Sequence, residues 1–380
     1  MVDNKRTLMI FGTTRLSAML AKGNVWYVTH YREAFDQVIC VYLVGARSDV
    51  PARRDTHLVS IGSSGFIASM LAAPARLLQE DRRVGATHYL TADILTSWWT
   101  ASLLRLFRRA QVIVMPVCTP DEIYKNSGRT FSGLPKFIEG TLIWLSFATA
   151  QRILVAENSP ATRRWLASSA FSAKVVVVKA TPEELPSIDF LERIETLATR
   201  RREAGDKWVL TYVGRLEHEK HVECLVEVAA HLKSANLDFE IRLVGNGTAE
   251  ASMRQKSIDL GVDAHMKFLG FQIAPQVAEH LAASDMFLST LTGTALKEAA
   301  LAKLPVIAFA IDYVPDLLTH ETDVMLVPVD DARAMATAVR TLIEQPGLRH
   351  RIATNLHALA AARWTPSAAK AGLTEAFAGL

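Results

Sequence analysis

The chain has 380 residues, of which 50% are hydrophobic and 21% are charged. That much apolar material suffices for two hydrophobic cores, and it excludes a disordered or low-complexity protein. The 42 Lys and Arg and the 39 Asp and Glu leave a net charge of only +3, which is not typical of a nucleic-acid-binding protein. Cys40, Cys118 and Cys224 lie far apart and form no metal-ligand spacing, as expected of reduced thiols in a cytoplasmic protein.

The start of the chain predicts a buried strand that enters a loop. Lys5 and Arg6 precede only a short apolar run, 8–11, before Gly12, whereas an export signal has a longer apolar core and a cleavage site of small residues. The later apolar stretch 142–150 is too short to cross a bilayer. We therefore expect a cytoplasmic protein, soluble or peripheral to the inner face of the membrane.

In the first half of the chain, short apolar and β-branched runs alternate with helical patterns. Such alternation indicates a parallel sheet with helices on both faces. Helices are predicted at 66–79 and 96–109, and strands at 8–11, 37–44, 58–61, 88–90, 111–117, 153–155 and 174–178.

The middle of the chain predicts a linker. The stretch 180–186 holds two prolines among polar residues, and an arginine-rich helical pattern follows at 191–203. We place the linker at 181–206, between one domain at 1–180 and another at 207–380.

The second half repeats the strand–helix alternation. The predicted fold class is therefore α/β, with two doubly wound Rossmann-like domains, and the expected ligand site is a cleft between the carboxyl ends of their strands. After Asp331 the pattern is mostly helical, and the strands before it are predicted at 208–213, 239–244, 266–269, 286–289, 305–309 and 324–327.

The first motif follows the predicted strand 208–213. Gly214 turns the chain, and Arg215 and Lys220 lie on either side of the approach to the next helix. Because helix N-termini favour anions, two cations at this point are suited to a diphosphate. The alternative is a pair of solvated cations on an exposed loop.

The second motif lies between two predicted strands, at 292–305. Gly293 and Thr294 would present main-chain N–H groups at the start of a helix, which is a second place for an anion. Glu298 follows one turn later in an otherwise apolar helix, where a carboxylate needs a partner or a hydroxyl ligand. The alternative is an ordinary glutamate on the helix surface.

These motifs, in this order, resemble a known family. Gly214-Arg215-Leu216 with Lys220, then 244–247, then 268–271, then 296–305 with Glu298, resemble the C-terminal domain of a GT-B glycosyltransferase, in particular the retaining family 4, or group 1. The resemblance covers about 207–327. The first half is similar only in its strand–helix rhythm and in a glycine-containing first loop.

The resemblance implies a nucleotide-sugar donor held mainly by the C-terminal domain. Arg215 and Lys220 would be catalytic, because they would bind the diphosphate and stabilise the leaving nucleotide. Glu298 would accept hydrogen bonds from the ribose hydroxyls. The implied donor-binding set also includes Gly12 and Thr13 from the first domain, together with Gly214, Gly245, Leu269, Phe271, Gly293, Thr294 and Leu296.

Two departures from the family pattern affect catalysis and sugar choice. The family usually carries two glutamates with seven residues between them, and Thr290 stands at the first position. Many relatives also place a histidine after the strand at 111–117, where this chain has Cys118. Asp93 is the remaining polar candidate for a catalytic residue in the first domain, although its place at a strand end favours an N-cap role at the helix near residue 96.

The resemblance implies no metal or other cofactor. The acidic pair Asp330-Asp331 looks like a metal-binding motif, but it follows a terminal strand in a predicted surface turn. We expect the nucleotide sugar to be the donor substrate, and no nucleic acid as a partner.

The small net charge conceals an asymmetry between the two halves. Residues 1–180 carry 22 Lys and Arg against 12 Asp and Glu, a balance of +10, whereas residues 181–380 balance at −7. Five of the seven tryptophans also lie in the first half. A basic, tryptophan-rich acceptor domain indicates a glycan or lipid-linked acceptor and a peripheral contact with anionic lipid. The alternative is tryptophans in the core and arginines on a solvated face.

The sequence thus predicts a retaining glycosyltransferase that acts in the synthesis of a cell-surface polysaccharide or glycolipid, with a UDP- or GDP-sugar as donor. Two alternatives stay open. One is a UDP-sugar 2-epimerase on the same fold, and the other is a non-catalytic GT-B binding or scaffold subunit.

Overall fold

The structure is a computed structural model that describes residues 6–15, 26–44, 48–52, 56–62, 66–91, 102, 110–116, 136–157, 159–197 and 206–377. The chain forms two compact units, one of Met1–Glu183 with Pro366–Leu380 and the other of Glu184–Thr365. The boundary at Glu183 lies within the proline-containing stretch 180–186. The last residues, 366–380, differ from expectation, because they belong to the first unit and not to the second.

The first unit is built on an eight-stranded sheet of order β3-β4-β2-β1-β5-β6-β7-β8. All neighbours in this sheet are parallel except β3 and β4, which are antiparallel. Its strands are β1 (Thr7–Arg15), β2 (Gln37–Val44), β3 (Ser48–Ala52), β4 (Thr56–Ser60), β5 (His88–Thr91), β6 (Gln111–Val114), β7 (Arg152–Ala156) and β8 (Val175–Val178).

Helices pack on this sheet through apolar stripes. They are α1 (Phe66–Val84), α2 (Lys136–Thr149) and α3 (Pro160–Ala167). Ala73 and Leu77 of α1 pack with buried side chains of β1, β2 and β5, and Ile143 and Phe147 of α2 pack against β6 and β7. The helix predicted at 96–109 lies, apart from Ser102, outside the described residues.

Strand β3 is absent from the predictions. It contains Pro51, and a proline in a short run argues against a strand. The structure places it at the edge of the sheet, where only one side needs hydrogen bonds, so the proline is tolerated there.

The second unit has a six-stranded parallel sheet of order β11-β10-β9-β12-β13-β14. Counted within the unit this is the order 3-2-1-4-5-6 of Rossmann folds, so the predicted fold class is confirmed for the sheets. The strands are β9 (Trp208–Val213), β10 (Phe239–Val244), β11 (Met266–Gly270), β12 (Met286–Ser289), β13 (Val306–Phe309) and β14 (Met325–Val327).

The helices of the second unit cover this sheet. They include α4 (Ile188–Thr196), α5 (Cys224–Ser234), α6 (Glu250–Asp259), α7 (Ala274–Ala282), α8 (Thr294–Leu301), α9 (Val314–Leu317), α10 (Ala332–Glu344) and α11 (Pro346–Arg363). One apolar cluster joins β9, β10 and β12 to α5 and α10. Strands β9, β12 and β13 are buried along almost their whole length. They therefore read in the sequence as nearly continuous apolar runs, and their predicted bounds agree with the structure to within one residue.

The last helix, α12 (Pro366–Ala376), belongs to the first unit and packs on β8. The ring of Phe377 lies edge-on to Phe35, with centroids 4.7 Å apart, and to His88, at 5.6 Å. The guanidinium of Arg6 donates to the carbonyl of Phe377 at 3.2 Å. A helical pattern does not reveal which sheet a helix covers. The sequence therefore offers no reason to end the second domain before residue 380.

Candidate donor site at the carboxyl edge of the second sheet

The loops that follow β9 and β10 pair with each other through their main chains. The Gly214 amide donates to Val244 O at 2.9 Å, and the Leu216 amide donates to Asn246 O at 2.9 Å. On the other side, the Gly245 amide donates to Gly270 O at 2.8 Å. The three loops at the carboxyl ends of β9, β10 and β11 therefore form one continuous main-chain platform.

Gly245 is required by this packing. Its φ is +138°, and a Cβ at this residue would lie 1.9 Å from the carbonyl oxygen of Gly214. No side chain fits in that space. Gly245, which we predicted to bind the donor, therefore holds the platform together, and it lets the loop of Gly214 lie close to that of β10.

Arg215 and Lys220 both lie above this platform. The Arg215 side chain is 64% exposed, and its guanidinium is 3.2 Å from the carboxylate of Glu219. Lys220 closes a 3-10 turn, His218–Lys220, that precedes α5. Burial chiefly lowers the pKa of Lys220, and the positive charge of Arg215 lowers it further, while Glu219 and Asp312 act in the opposite direction. Two cations thus lie close enough together to influence each other at the sheet edge.

Thr290 follows β12 and is fully buried. Its hydroxyl donates to the carbonyl oxygen of Lys220 at 2.5 Å. The phenol of Tyr212, on β9, donates to the carbonyl of Arg215 at 3.1 Å. Tyr212 and Thr290 therefore connect the main chains of both cations to the sheet.

Helix α8 begins at Thr294, and Gly293 is its N-cap. The Gly293 backbone is extended, with φ 162°, and nothing lies within 4 Å of the position of an added Cβ. The cap makes no side-chain hydrogen bond, so the first N–H groups of the helix face open space and favour an anion. Leu296 is buried in the core, and only its main chain is available to a ligand.

Glu298 lies one turn into α8. It makes no hydrogen bond or ion pair with any residue that the structure describes, and burial raises the pKa of its carboxyl to about 7. A carboxyl without a partner in an apolar setting is unfavourable for the fold. The residue is nevertheless only half-buried, so its carboxyl can still be reached by water or by a ligand.

The segment after β11 presents both main-chain groups and an aromatic ring. The carbonyl of Leu269 already accepts from the side-chain amide of Gln272 at 2.8 Å, which leaves one lone pair for a ligand. Phe271 is 62% exposed. Its ring offers a flat apolar face of the kind that a nucleobase stacks on.

Three predicted site residues belong to the first unit. Gly12 and Thr13 lie within strand β1, which extends to Arg15 beside β2, so the prediction that they form a loop is wrong. The apolar run ends at Phe11, and the pairing with β2 shifts register between Gly12 and Arg15. Asp93, like Cys118, lies outside the described residues.

Lys297 is a buried residue that the sequence predictions missed. Its side chain is 3% exposed, and its ammonium donates to the carbonyl of Glu184 at 3.0 Å and lies 3.5 Å from the carboxylate of the same residue. The ammonium also lies 5.7 Å from the ring centroid of Trp364. A lysine among the apolar residues of 295–301 was a sign in the sequence that this side chain is buried. Its partners could not be predicted, because they are distant in sequence.

Both members of the acidic pair have partners of a structural kind. Asp331 is the N-cap of α10 and accepts from the amide of Ala334 at 2.8 Å. Asp330 lies 2.9 Å from Nδ1 of His221. Within the part of the chain that the structure describes, no three His, Cys, Asp or Glu residues are grouped so that they could hold a metal ion.

Comparison with solved structures defines the class of fold. HepE from Anabaena, solved in complex with UDP, superposes with a TM-score of 0.72 over 99% of this chain and 100% of its own, at 16% identity. HepE and the other structural neighbours have the GT-B glycosyltransferase fold. The chain therefore has the GT-B fold, as the motifs predicted.

Residues 194–357 match the family described as glycosyl transferases group 1. The match confirms the resemblance predicted from the motifs. Alpha-D-kanosaminyltransferase of Streptomyces kanamyceticus is 27% identical over 43% of this chain and 44% of its own length. The amylovoran biosynthesis glycosyltransferase AmsK of Erwinia amylovora is 29% identical over 34% of each chain. The matches thus span less than half of these relatives.

Proposed function

We propose that the protein is a retaining glycosyltransferase that moves a sugar from a UDP- or GDP-sugar to a glycan or lipid-linked acceptor. One observation carries the proposal. In the segment that matches group 1, two cations, Arg215 and Lys220, follow β9, and the unpartnered Glu298 carboxyl lies in the first turns of α8, which follows β12. Diphosphate and ribose are the chemical groups that such a set recognises.

In this proposal each residue has a separate task. Arg215 and Lys220 bind the donor diphosphate, and the N-terminus of α8 at Gly293 and Thr294 binds it from the other side. Glu298 accepts hydrogen bonds from the ribose. The ring of Phe271 and the main chain at Leu269 contact the base. HepE, which shares the fold, was solved with UDP, and this supports a uridine nucleotide as the first probe.

The reaction that we propose needs no nucleophile from the enzyme. The bond between the anomeric carbon and the phosphate oxygen breaks, and the acceptor oxygen bonds to the same face of that carbon. The acceptor's proton passes to the departing phosphate. Arg215 and Lys220 stabilise the negative charge that develops on this phosphate, which is preorganised electrostatic catalysis. No metal is assigned a task.

We further propose that the first unit binds the acceptor and contacts an anionic membrane. Residues 1–180, which form most of this unit, carry a balance of +10, and α2 exposes Phe137 to 74% and Trp144 to 55%. Aromatic side chains beside basic residues suit a lipid interface. None of the helices among the described residues is long and apolar enough to span a bilayer. Flotation with anionic vesicles at low salt tests the contact, and absence of binding contradicts it.

Calorimetric titration with UDP and GDP tests the donor site. Arg215→Ala should weaken binding by about 10- to 100-fold, because charge-assisted hydrogen bonds to phosphate are lost. Arg340→Ala is the matched control, since the Arg340 side chain is also exposed, at 51%, and forms a similar i,i+4 ion pair, with Glu344 on α10. If Arg215→Ala binds as tightly as the control does, the proposed diphosphate site is wrong.

One observation favours a second candidate, a non-catalytic subunit of the same fold. Thr290 stands where the family has a glutamate, and its hydroxyl is bonded to the main chain of Lys220, so it offers no carboxylate to a donor sugar. Such a subunit would bind a nucleotide without releasing UDP or GDP from any sugar donor. An epimerase would instead convert a UDP-sugar in the absence of an acceptor. Incubation of the protein with UDP-sugars, with and without acceptors, distinguishes the three.

A further inference from the structure

The turn that carries Lys220 is attached to the ends of three successive strands. After β12, Thr290 donates to the carbonyl oxygen of Lys220 at 2.5 Å. At the end of β13, the Phe309 ring lies edge-on to the ring of His221, with centroids 6.2 Å apart. After β14, the two carboxylate oxygens of Asp330 lie 3.0 and 2.9 Å from Nδ1 of His221.

Both members of the His221–Asp330 pair have a left-handed backbone. The φ of His221 is 55° and that of Asp330 is 60°. This region is unfavourable for a residue with a Cβ, and glycine adopts it without penalty. If the chain needed only two tight turns here, glycine would suffice. The side chains therefore indicate a second role. They join the Lys220 turn to the loop after β14, although the two residues are 109 positions apart in the sequence.

A lysine needs such support to bind a phosphate well. Its ammonium lies at the end of a flexible stem, so its place depends on where the main chain holds the stem. At Lys220 the carbonyl is fixed by Thr290, and the next residue is fixed by Asp330 and Phe309. Contacts of this kind behind a binding group preorganise it and reduce the entropy lost on binding.

We propose that Thr290 and the His221–Asp330 pair are positioning residues that determine where the Lys220 ammonium lies when a donor diphosphate binds. This inference rests on the proposed function, because it assumes that Lys220 binds phosphate. It assigns a task to His221, Asp330 and Thr290, none of which is predicted to touch the donor.

The test is calorimetric titration of the full chain with UDP and with GDP. His221→Gly and Asp330→Gly remove the link but keep the backbone conformation. Each should weaken nucleotide binding about tenfold, because a misplaced Lys220 ammonium keeps only part of its charge-assisted hydrogen bond to the diphosphate. His221→Asn should bind within about threefold of the wild type, since asparagine tolerates the left-handed region and its amide can donate to Asp330. The matched control is Asn236→Gly, another left-handed residue, with φ 55°, at the end of α5.

A double-mutant cycle separates positioning from a general loss of structure. In a Lys220→Gln background, His221→Gly should change the affinity by less than about twofold, because the group that it positions is gone. Thr290→Val should weaken nucleotide binding to a similar extent, whereas Thr290→Ser, which keeps the hydroxyl, should bind like the wild type. These two variants test the inference even if a glycine variant fails to fold. Thermal unfolding of the binding variants should stay within about 4 °C of the wild type.

Three results overturn the inference. The first is that the glycine variants of His221 and Asp330 bind the nucleotide as tightly as Asn236→Gly does. The second is that His221→Gly weakens binding equally with and without Lys220. The third is that the wild type binds neither UDP nor GDP, which overturns the proposed function and this inference with it. In the first two cases the wild type still binds, so the proposed function stands.

Discussion

Replacement of Glu298 by glutamine should make the stability of the protein less dependent on pH. Glutamine has the same shape and cannot ionise. Burial raises the pKa of Glu298 from 4.5 to about 7, which corresponds to at most about 3 kcal/mol by which the folded state disfavours the charged carboxyl. The unfolded chain loses this proton near pH 4.5, whereas the folded chain keeps it until about pH 7.

The sign of the effect follows from this difference in bound protons. Between these two pH values the folded state binds one proton more than the unfolded state, so the free energy of unfolding falls as the pH rises. The glutamine variant lacks this loss. The advantage in stability of Glu298→Gln over the wild type should therefore grow by about 2–3 kcal/mol between pH 5 and pH 8.

Urea unfolding at pH 5, 6, 7 and 8 measures this advantage. Glu344→Gln is the control, because Glu344 is 63% exposed in a surface ion pair, and its effect should be small and nearly constant with pH. If the advantage of Glu298→Gln does not change between pH 5 and pH 8, Glu298 is ionised normally and the account of its burial is wrong.

The same variant tests the ribose contact. Hydroxyl donors favour the ionised carboxylate, so UDP or GDP should lower the pKa of Glu298 on binding. The wild type should then gain affinity for the nucleotide between pH 6 and pH 8 relative to Glu298→Gln. The comparison cancels the ionisation of the nucleotide phosphate, which is common to both proteins. Parallel pH profiles would contradict a contact between Glu298 and the ribose.

Three further substitutions test the packing around the site and the last helix. Gly245→Ala should lower the free energy of unfolding by about 3 kcal/mol or more, because the new Cβ would lie 1.9 Å from the carbonyl oxygen of Gly214. The control Gly293→Ala has open space for its Cβ and should change this free energy by less than about 1 kcal/mol. Equal urea midpoints for the two variants would contradict this. Phe377→Ala removes a ring that is 2% exposed and should destabilise the first unit by about 3–5 kcal/mol in calorimetry; an unchanged first unit would show that α12 is dispensable. Lys297→Met should lose about 1–3 kcal/mol in urea unfolding, since the bond to the Glu184 carbonyl disappears; a variant as stable as the wild type would refute it.

The sequence predicts best what depends on neighbours in the chain. Strands such as 208–213 and 286–289 agree with the structure because buried parallel strands are nearly continuous apolar runs. Motifs such as Gly214-Arg215-Leu216 are equally local. The link between His221 and Asp330, by contrast, spans 109 positions, and only the order of the strands brings these residues together. The assignment of α12 to the first unit likewise depends on contacts with residues that are distant in the sequence.

Adjacent residues on α8 have opposite environments, and this contrast is an argument for a ligand. Lys297 is buried, and the fold gives its ammonium a carbonyl, a carboxylate and an aromatic ring. Glu298 is the next residue, yet the described residues give its carboxyl no donor at all. A fold that satisfies one buried charge fully has the means to satisfy its neighbour, for instance with a serine or threonine nearby. A half-buried carboxyl without a donor is unfavourable, and we propose that hydroxyl groups of the donor satisfy it.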